Sequence, residues 1–156
     1  MQVLTGQYPT LYTHKLRVFY TDFQPSTANF KDITLLTLPK ATQVMFVGWR
    51  LNTAFFTPSA SSHWLYMFAG NNVPTNPSTS SYLSRYNASG AVADQNGCLE
   101  SVFPHLRVSG STSLYSWNNY NAPTDLKLRL LLPVGLQINN TTAGAADIWV
   151  VTAKFP

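Results

Sequence analysis

Leu126-Lys127-Leu128-Arg129-Leu130 alternates apolar and basic residues one by one, and Ile148-Trp149-Val150-Val151-Thr152-Ala153-Lys154-Phe155 repeats the habit further on. A period of two sends successive side chains to opposite faces, so each run predicts a strand with one apolar and one wetter side. The habit recurs over 11–21, where Leu16, Val18 and Tyr20 oppose Lys15, Arg17 and Phe19. Two more runs, 33–38 and 42–55, flank Pro39-Lys40-Ala41, a connection short enough to predict neighbouring antiparallel strands. In the second of these Met45, Val47, Trp49 and Leu51 are expected to share a face. A further short run covers 63–69, and nowhere is a helical period convincing.

Between 70 and 123 the chain turns rich in Ser, Asn, Gly and Pro, with only short candidate strands at 81–86, 99–108 and 113–117. Strong runs return at 125–132 and 146–155, with a weak one at 136–138 between them. The expectation is an all-β protein, an antiparallel β-sandwich or jelly roll of about eight strands with long loops in the 70–123 region. At 156 residues one domain suffices, over 11–156, able to bury roughly two-thirds of its unfolded surface. Residues 1–10 lack a periodic core and read as an N-terminal arm that orders on binding.

Such a sandwich needs a surface, and here the composition is unusual. Charged residues make up 10% of the chain and aromatic ones 13%, whereas soluble monomers ordinarily carry a mixed charged exterior. Charge depletion with Tyr, Trp and Phe enrichment is the leaning of lasting protein contacts, so oligomerisation is the first functional expectation. The ten basic residues against six acids form no cluster, so nucleic acid is not an expected partner. No apolar stretch is long enough to span a membrane as a helix. The first nine residues lack the basic and apolar segments of a signal peptide, so synthesis in the cytoplasm is expected, and Asn87-Ala88-Ser89 and Asn140-Thr141-Thr142 read as loop sequence.

Standard chemistries find little footing. Cys98, the single cysteine, cannot form an internal disulfide, and beside His105 it reads as a small apolar residue, not a nucleophile. His14, His63 and His105 are scattered, so no metal or cofactor is expected. Among the acids, Asp32, Asp125 and Asp147 open strand runs, as turn-forming residues do, leaving Asp94 and Glu100 as the only carboxylate pair to inspect. Lys15, Arg17, Lys127 and Arg129 read as charges that keep strand edges from stray pairing. An enzyme is not expected. The recognition candidates are Tyr115, Trp117, Asn118, Asn119 and Tyr120, with Tyr82, Arg85 and Tyr86 in the same region. Aromatic faces and amides suit a sugar, but they suit a subunit interface equally, and the low charge favours the interface.

Asp32-Ile33-Thr34-Leu35-Leu36-Thr37-Leu38-Pro39-Lys40-Ala41-Thr42-Gln43-Val44, followed by a long alternating strand, resembles bacteriophage virion proteins of β-sandwich type. Leu126 to Leu132, a Gly-containing turn and Ala146-Asp147-Ile148-Trp149-Val150 are similar to the final strands of small phage capsid decoration, or cement, proteins. The resemblance implies a virion location on the capsid surface, a homotrimer, and binding to the major capsid protein that clamps the head against internal pressure. Its alternative, of a different class, is a receptor- or carbohydrate-binding module of a tail or head fibre.

Overall fold

A computed structural model describes residues 10–71, 83–88 and 122–154. They form strands β1 (Thr10–Phe19), β2 (Phe30–Leu38), β3 (Thr42–Phe56), β4 (Trp64–Ala69), β5 (Leu83–Asn87), β6 (Thr124–Leu131) and β7 (Ala143–Lys154). Two short 3-10 helices, Tyr20–Phe23 and Ile138–Asn140, sit in the connections. One antiparallel sheet runs in the order β1-β7-β3 and the other β2-β6-β4-β5. Because β1 and β2, β2 and β3, β3 and β4, and β6 and β7 lie in opposite sheets, the chain winds over the ends of the sandwich as a jelly roll does.

The alternation does what it predicted. Leu126, Leu128 and Leu130 of β6 are fully buried and meet Val47, Trp49, Leu51, Ile148 and Val150 from the facing sheet. Burying side chains of this size is worth roughly 1.5–3 kcal/mol each, which is what holds two sheets face to face.

Three expectations need correction. Residues 33–38 and 42–55 do not pair: β2 pairs with β6 and β3 with β7. Leu38 is fully buried and Thr42, Gln43 and Val44 are buried just beyond, so the Pro39-Lys40-Ala41 link crosses from one sheet to the other over the core, with Ala41 at a φ of 58°. Met45 leaves the face of Val47, because the register slips between Val44 and Phe46 and puts Val44 in the core instead. The described strands number seven against about eight expected, and the weak run at 136–138 is not one of them. Its backbone donors are drawn to the β1–β2 connection, Ile138 N–H to Ala28 O and Asn139 N–H to Ser26 O, both at 3.0 Å. The candidate run 81–86 is represented by β5, while 99–108, 113–117 and the arm before Thr10 lie outside the described residues.

Candidate functional site

Tyr82, Tyr115, Trp117, Asn118, Asn119 and Tyr120 lie outside the described residues, as do Cys98, His105, Asp94 and Glu100. Arg85 and Tyr86 belong to β5, where Tyr86 stands opposite Leu65 in the ladder. Among the described residues no three of His, Cys, Asp and Glu gather, and no helix is long and apolar enough to cross a membrane.

The acids and bases behave differently from their expected roles. Asp147 is not a turn residue; it lies within β7, buried, and accepts two hydrogen bonds from Arg17, Nε at 2.6 Å and Nη2 at 2.9 Å. The guanidinium, with help from Asn52 and Lys15, holds the Asp147 carboxyl down at about 2. Asp32, inside β2, takes the same bidentate grip from Arg129 at 2.5 and 2.7 Å. Arg129 also lies over the Phe30 ring at 4.3 Å and donates to Tyr66 Oη at 3.2 Å. Asp125 accepts from Thr37 Oγ1 at 2.7 Å. Lys127 and Arg129 therefore guard no edge, since β6 runs between β2 and β4. Each sheet carries an Arg–Asp fork on its outer side, that of the first sheet flanked by Lys15 at 4.0 Å and by Arg50 across the β3 ladder, and on the second sheet Tyr66 and Phe68 are only 2% exposed although they point away from Leu65 and Met67.

One end of the sandwich differs from the rest. It is made by the connections 20–29, 57–63 and 132–142, whose only ionised side chain is Asp22. That carboxylate is occupied, accepting the Phe19 N–H at 2.7 Å. Of the six large apolar residues exposed among the described residues, four lie here: Val134 in a connection, and Phe19, Phe30 and Phe56 at the adjoining strand ends. Long connections are commonly the loosest parts of a fold, yet these are tied into one another. Gln24 Nε2 donates to Thr141 O at 2.8 Å, Ser26 N–H to Asn139 Oδ1 at 2.7 Å, and Asn29 and Leu132 exchange two hydrogen bonds at 2.7 and 3.0 Å. A buried chain runs from His63 Nε2 to Thr57 Oγ1 to Thr141 Oγ1, each step 2.9 Å, and Thr142 N–H reaches Phe56 O. Burial pushes the His63 imidazole down to about 4, so it is neutral near pH 7.

A shallow trough opens on this end of the first sheet. Gly144 looks into the core, since a Cβ there would overlap the Phe55 ring, and so Ala143 and Ala145 look outward. Phe19 stands opposite Ala145 across one ladder, and Phe56 opposite Ala143 across the other. Both phenyl groups point outward, their neighbours Val18 and Phe55 being buried, and they remain 46% and 56% exposed. Two aromatic walls, about 10–12 Å apart by strand spacing, thus flank a half-buried Ala143 and a buried Ala145. The Arg17–Asp147 fork bounds the trough one outward residue further along β7. Sequence reading passed over this site because Ala143, Gly144 and Ala145 look like the tail of a turn. The available signal was the absence of charge from three separate connections.

No protein-family model matches the chain, and no curated protein does. Two solved structures are similar in outline. The first, described as "Cyanophage Pam1 capsid asymmetric unit", is 11% identical, with a TM-score of 0.46 over 99% of this chain and 91% of that one. The second, "Crystal structure of infectious bursal disease virus VP2 subviral particle", is 15% identical, with a TM-score of 0.34 over 96% of this chain and 34% of that one. Neither likeness is close enough to carry an argument about function.

Proposed function

We propose that this protein is a non-enzymatic structural subunit of a virus particle, a capsid cement or decoration protein. In this reading it self-associates as a trimer on the capsid surface and binds the major capsid protein. The observation that carries the reading is the end of the sandwich whose connections hold no ionised side chain but Asp22, are tied together by hydrogen bonds, and leave Val134 exposed beside the outward strand ends Phe19 and Phe56. Exposed apolar residues on a charge-poor surface are what lasting protein contacts present. Preformed connections lose little further freedom on docking, so more of the contact energy survives as affinity. An oligomer multiplies that affinity by engaging several lattice sites at once. Jelly rolls serve many roles, and the fold by itself decides nothing between them.

The test is co-sedimentation of purified protein with virus particles stripped of minor proteins, alongside its native mass. Saturable binding by an oligomer supports the reading. A protein that ignores the stripped particles at all concentrations overturns it.

A further inference from the structure

Lys15, Arg17 and Arg50 form no basic run in the sequence, but strand pairing gathers them on the outer side of the first sheet. Arg17 of β1 and Arg50 of β3 stand opposite Asp147 from the two sides of β7, and Lys15 lies two residues from Arg17 on the same face. Strand spacing puts the two arginine backbones about 10 Å apart. One carboxylate serves all three cations. Asp147 is 4% exposed, with two of the five Arg17 N–H groups on it and Lys15 Nζ 4.0 Å away. The Lys15 and Arg17 side chains remain 60% and 55% exposed. Arg50 is exposed and makes no hydrogen bond or ion pair among the described residues. Beside the cations, on the same face, lie Trp149, Val151 and Phe46, all half-buried. They point outward because Ile148, Val150 and Val47 next to them fill the core. Lys15 Nζ stands 5.6 Å from the centre of the Trp149 ring.

The geometry points to the outer face of the first sheet as the docking surface for an acidic protein, whose carboxylates meet Arg17, Arg50 and Lys15 and whose apolar side chains cover Trp149, Val151 and Phe46. This rests on the particle-subunit reading and gives the chemistry of the shell surface that the subunit grips. Charge selects the partner. Three cations around a single buried carboxylate leave the patch positive, so it repels the same patch on a second copy and attracts an anionic surface. A planar guanidinium pairs with a carboxylate through two parallel hydrogen bonds, and Arg50 has that whole fork to offer. Arg17 is already held in place by Asp147, so it loses little freedom on docking. The apolar neighbours decide between a protein and a nucleic acid. Three cations supply few phosphate contacts, and Val151 and Phe46 gain nothing from phosphates. An acidic protein surface brings carboxylates and apolar side chains together, and Trp and Arg are the residues that anchor such contacts.

The experiment compares the full chain with Arg50→Glu, Arg50→Ala and Lys127→Glu, the last making the same charge change on the outer side of the second sheet. Each is given a thermal melt and a binding isotherm on stripped particles at about 50 and about 500 mM salt. Poly-L-glutamate and oligothymidylate serve as competitors. Wild-type binding is expected to weaken with salt and to yield to poly-L-glutamate but not to oligothymidylate. Arg50→Glu is expected to bind at least about tenfold more weakly with its melt retained, and Lys127→Glu to bind as the wild type does. Arg50→Ala, expected to lose less, decides the matter if the reversal lowers the melt. A wild type that binds while the folded Arg50 variants bind equally well overturns this surface and leaves the particle-subunit reading standing. An equal loss in Lys127→Glu, or competition by oligothymidylate alone, also overturns it. If the wild type ignores the particles, the particle-subunit reading fails. Direct binding to poly-L-glutamate then decides the surface: held by the wild type and lost in Arg50→Glu, it supports an acidic partner, and any other result overturns it.

Discussion

Gly144 and Phe55 face each other across the end of the core with no room for a methyl group between them. The Cβ of any other residue at 144 would overlap three atoms of the ring, and the backbone there, at a φ of +144°, is one that side chains resist. Gly144→Ala is therefore expected to cost about 2–4 kcal/mol, from overpacking and backbone strain together. Urea denaturation measures it. Adding Phe55→Leu should return part of the loss, so the double variant should be more stable than the sum of the singles.

The Arg129–Asp32 fork should behave as a coupled pair. Arg129 is enclosed by Phe30, Tyr66 and Phe68, so Arg129→Met leaves the Asp32 carboxylate with its guanidinium partner gone. A double-mutant cycle with Asp32→Asn is expected to return a coupling of about 1–3 kcal/mol. Lys127→Ala, two residues away with its Nζ on the exposed Asn71, should stay within about 0.5 kcal/mol of wild type. Equal small losses at both bases would show the fork to be an ordinary surface pair.

Acid should weaken the fold in two successive steps. His63 falls from 6.5 to about 4 on folding, because burial disfavours its charged form. Below pH 6.5 the unfolded chain takes up a proton that the folded chain refuses, so stability declines as pH drops toward 4, by up to about 3 kcal/mol. Asp147, lowered from 3.8 to about 2 by Arg17, adds a second decline as pH falls from 3.8 toward 2. Urea midpoints from pH 8 to 2 should be flat above 6.5, fall toward 4, and fall again below 3.8. His63→Gln should abolish that upper decline while leaving the more acidic one.

Gln24 ties the β1–β2 connection to Thr141, and its removal should loosen the whole end. Gln24→Ala is expected to cost about 1–2 kcal/mol and to speed hydrogen exchange at Ile138 and Asn139, whose amides donate across to Ala28 and Ser26. Exchange at Val150, in the middle of β7, should slow or quicken only in step with global stability.

What could be read from the sequence was whatever repeats locally. Leu126, Leu128 and Leu130 announce a strand with a buried face because alternation is a property of neighbouring residues. The aspartates are harder: Asp147 meets Arg17, and Asp32 meets Arg129, only after strands distant in sequence have paired, so a residue that looks like a turn former proves to lie inside a ladder. The bulge that trades Met45 for Val44 leaves no mark in hydrophobicity, both residues being apolar. The trough was invisible for a related reason. Its walls come from β1 and β3 and its floor from β7, and nothing in Phe19 or Phe56 taken singly tells which alanines will lie between them.

β7 lies between β1 and β3, although of these seven strands it comes latest in the chain. The first sheet consequently cannot exist as a ribosome product emerges: β1 and β3 wait without a hydrogen-bonding neighbour between them until β7 arrives to fill the slot. Long-range closure of this kind slows folding. A chain broken off before β7 therefore lacks Ile148 and Val150 from its core and leaves β1 and β3 without their shared neighbour, so completeness of the chain is a condition of closing the sandwich.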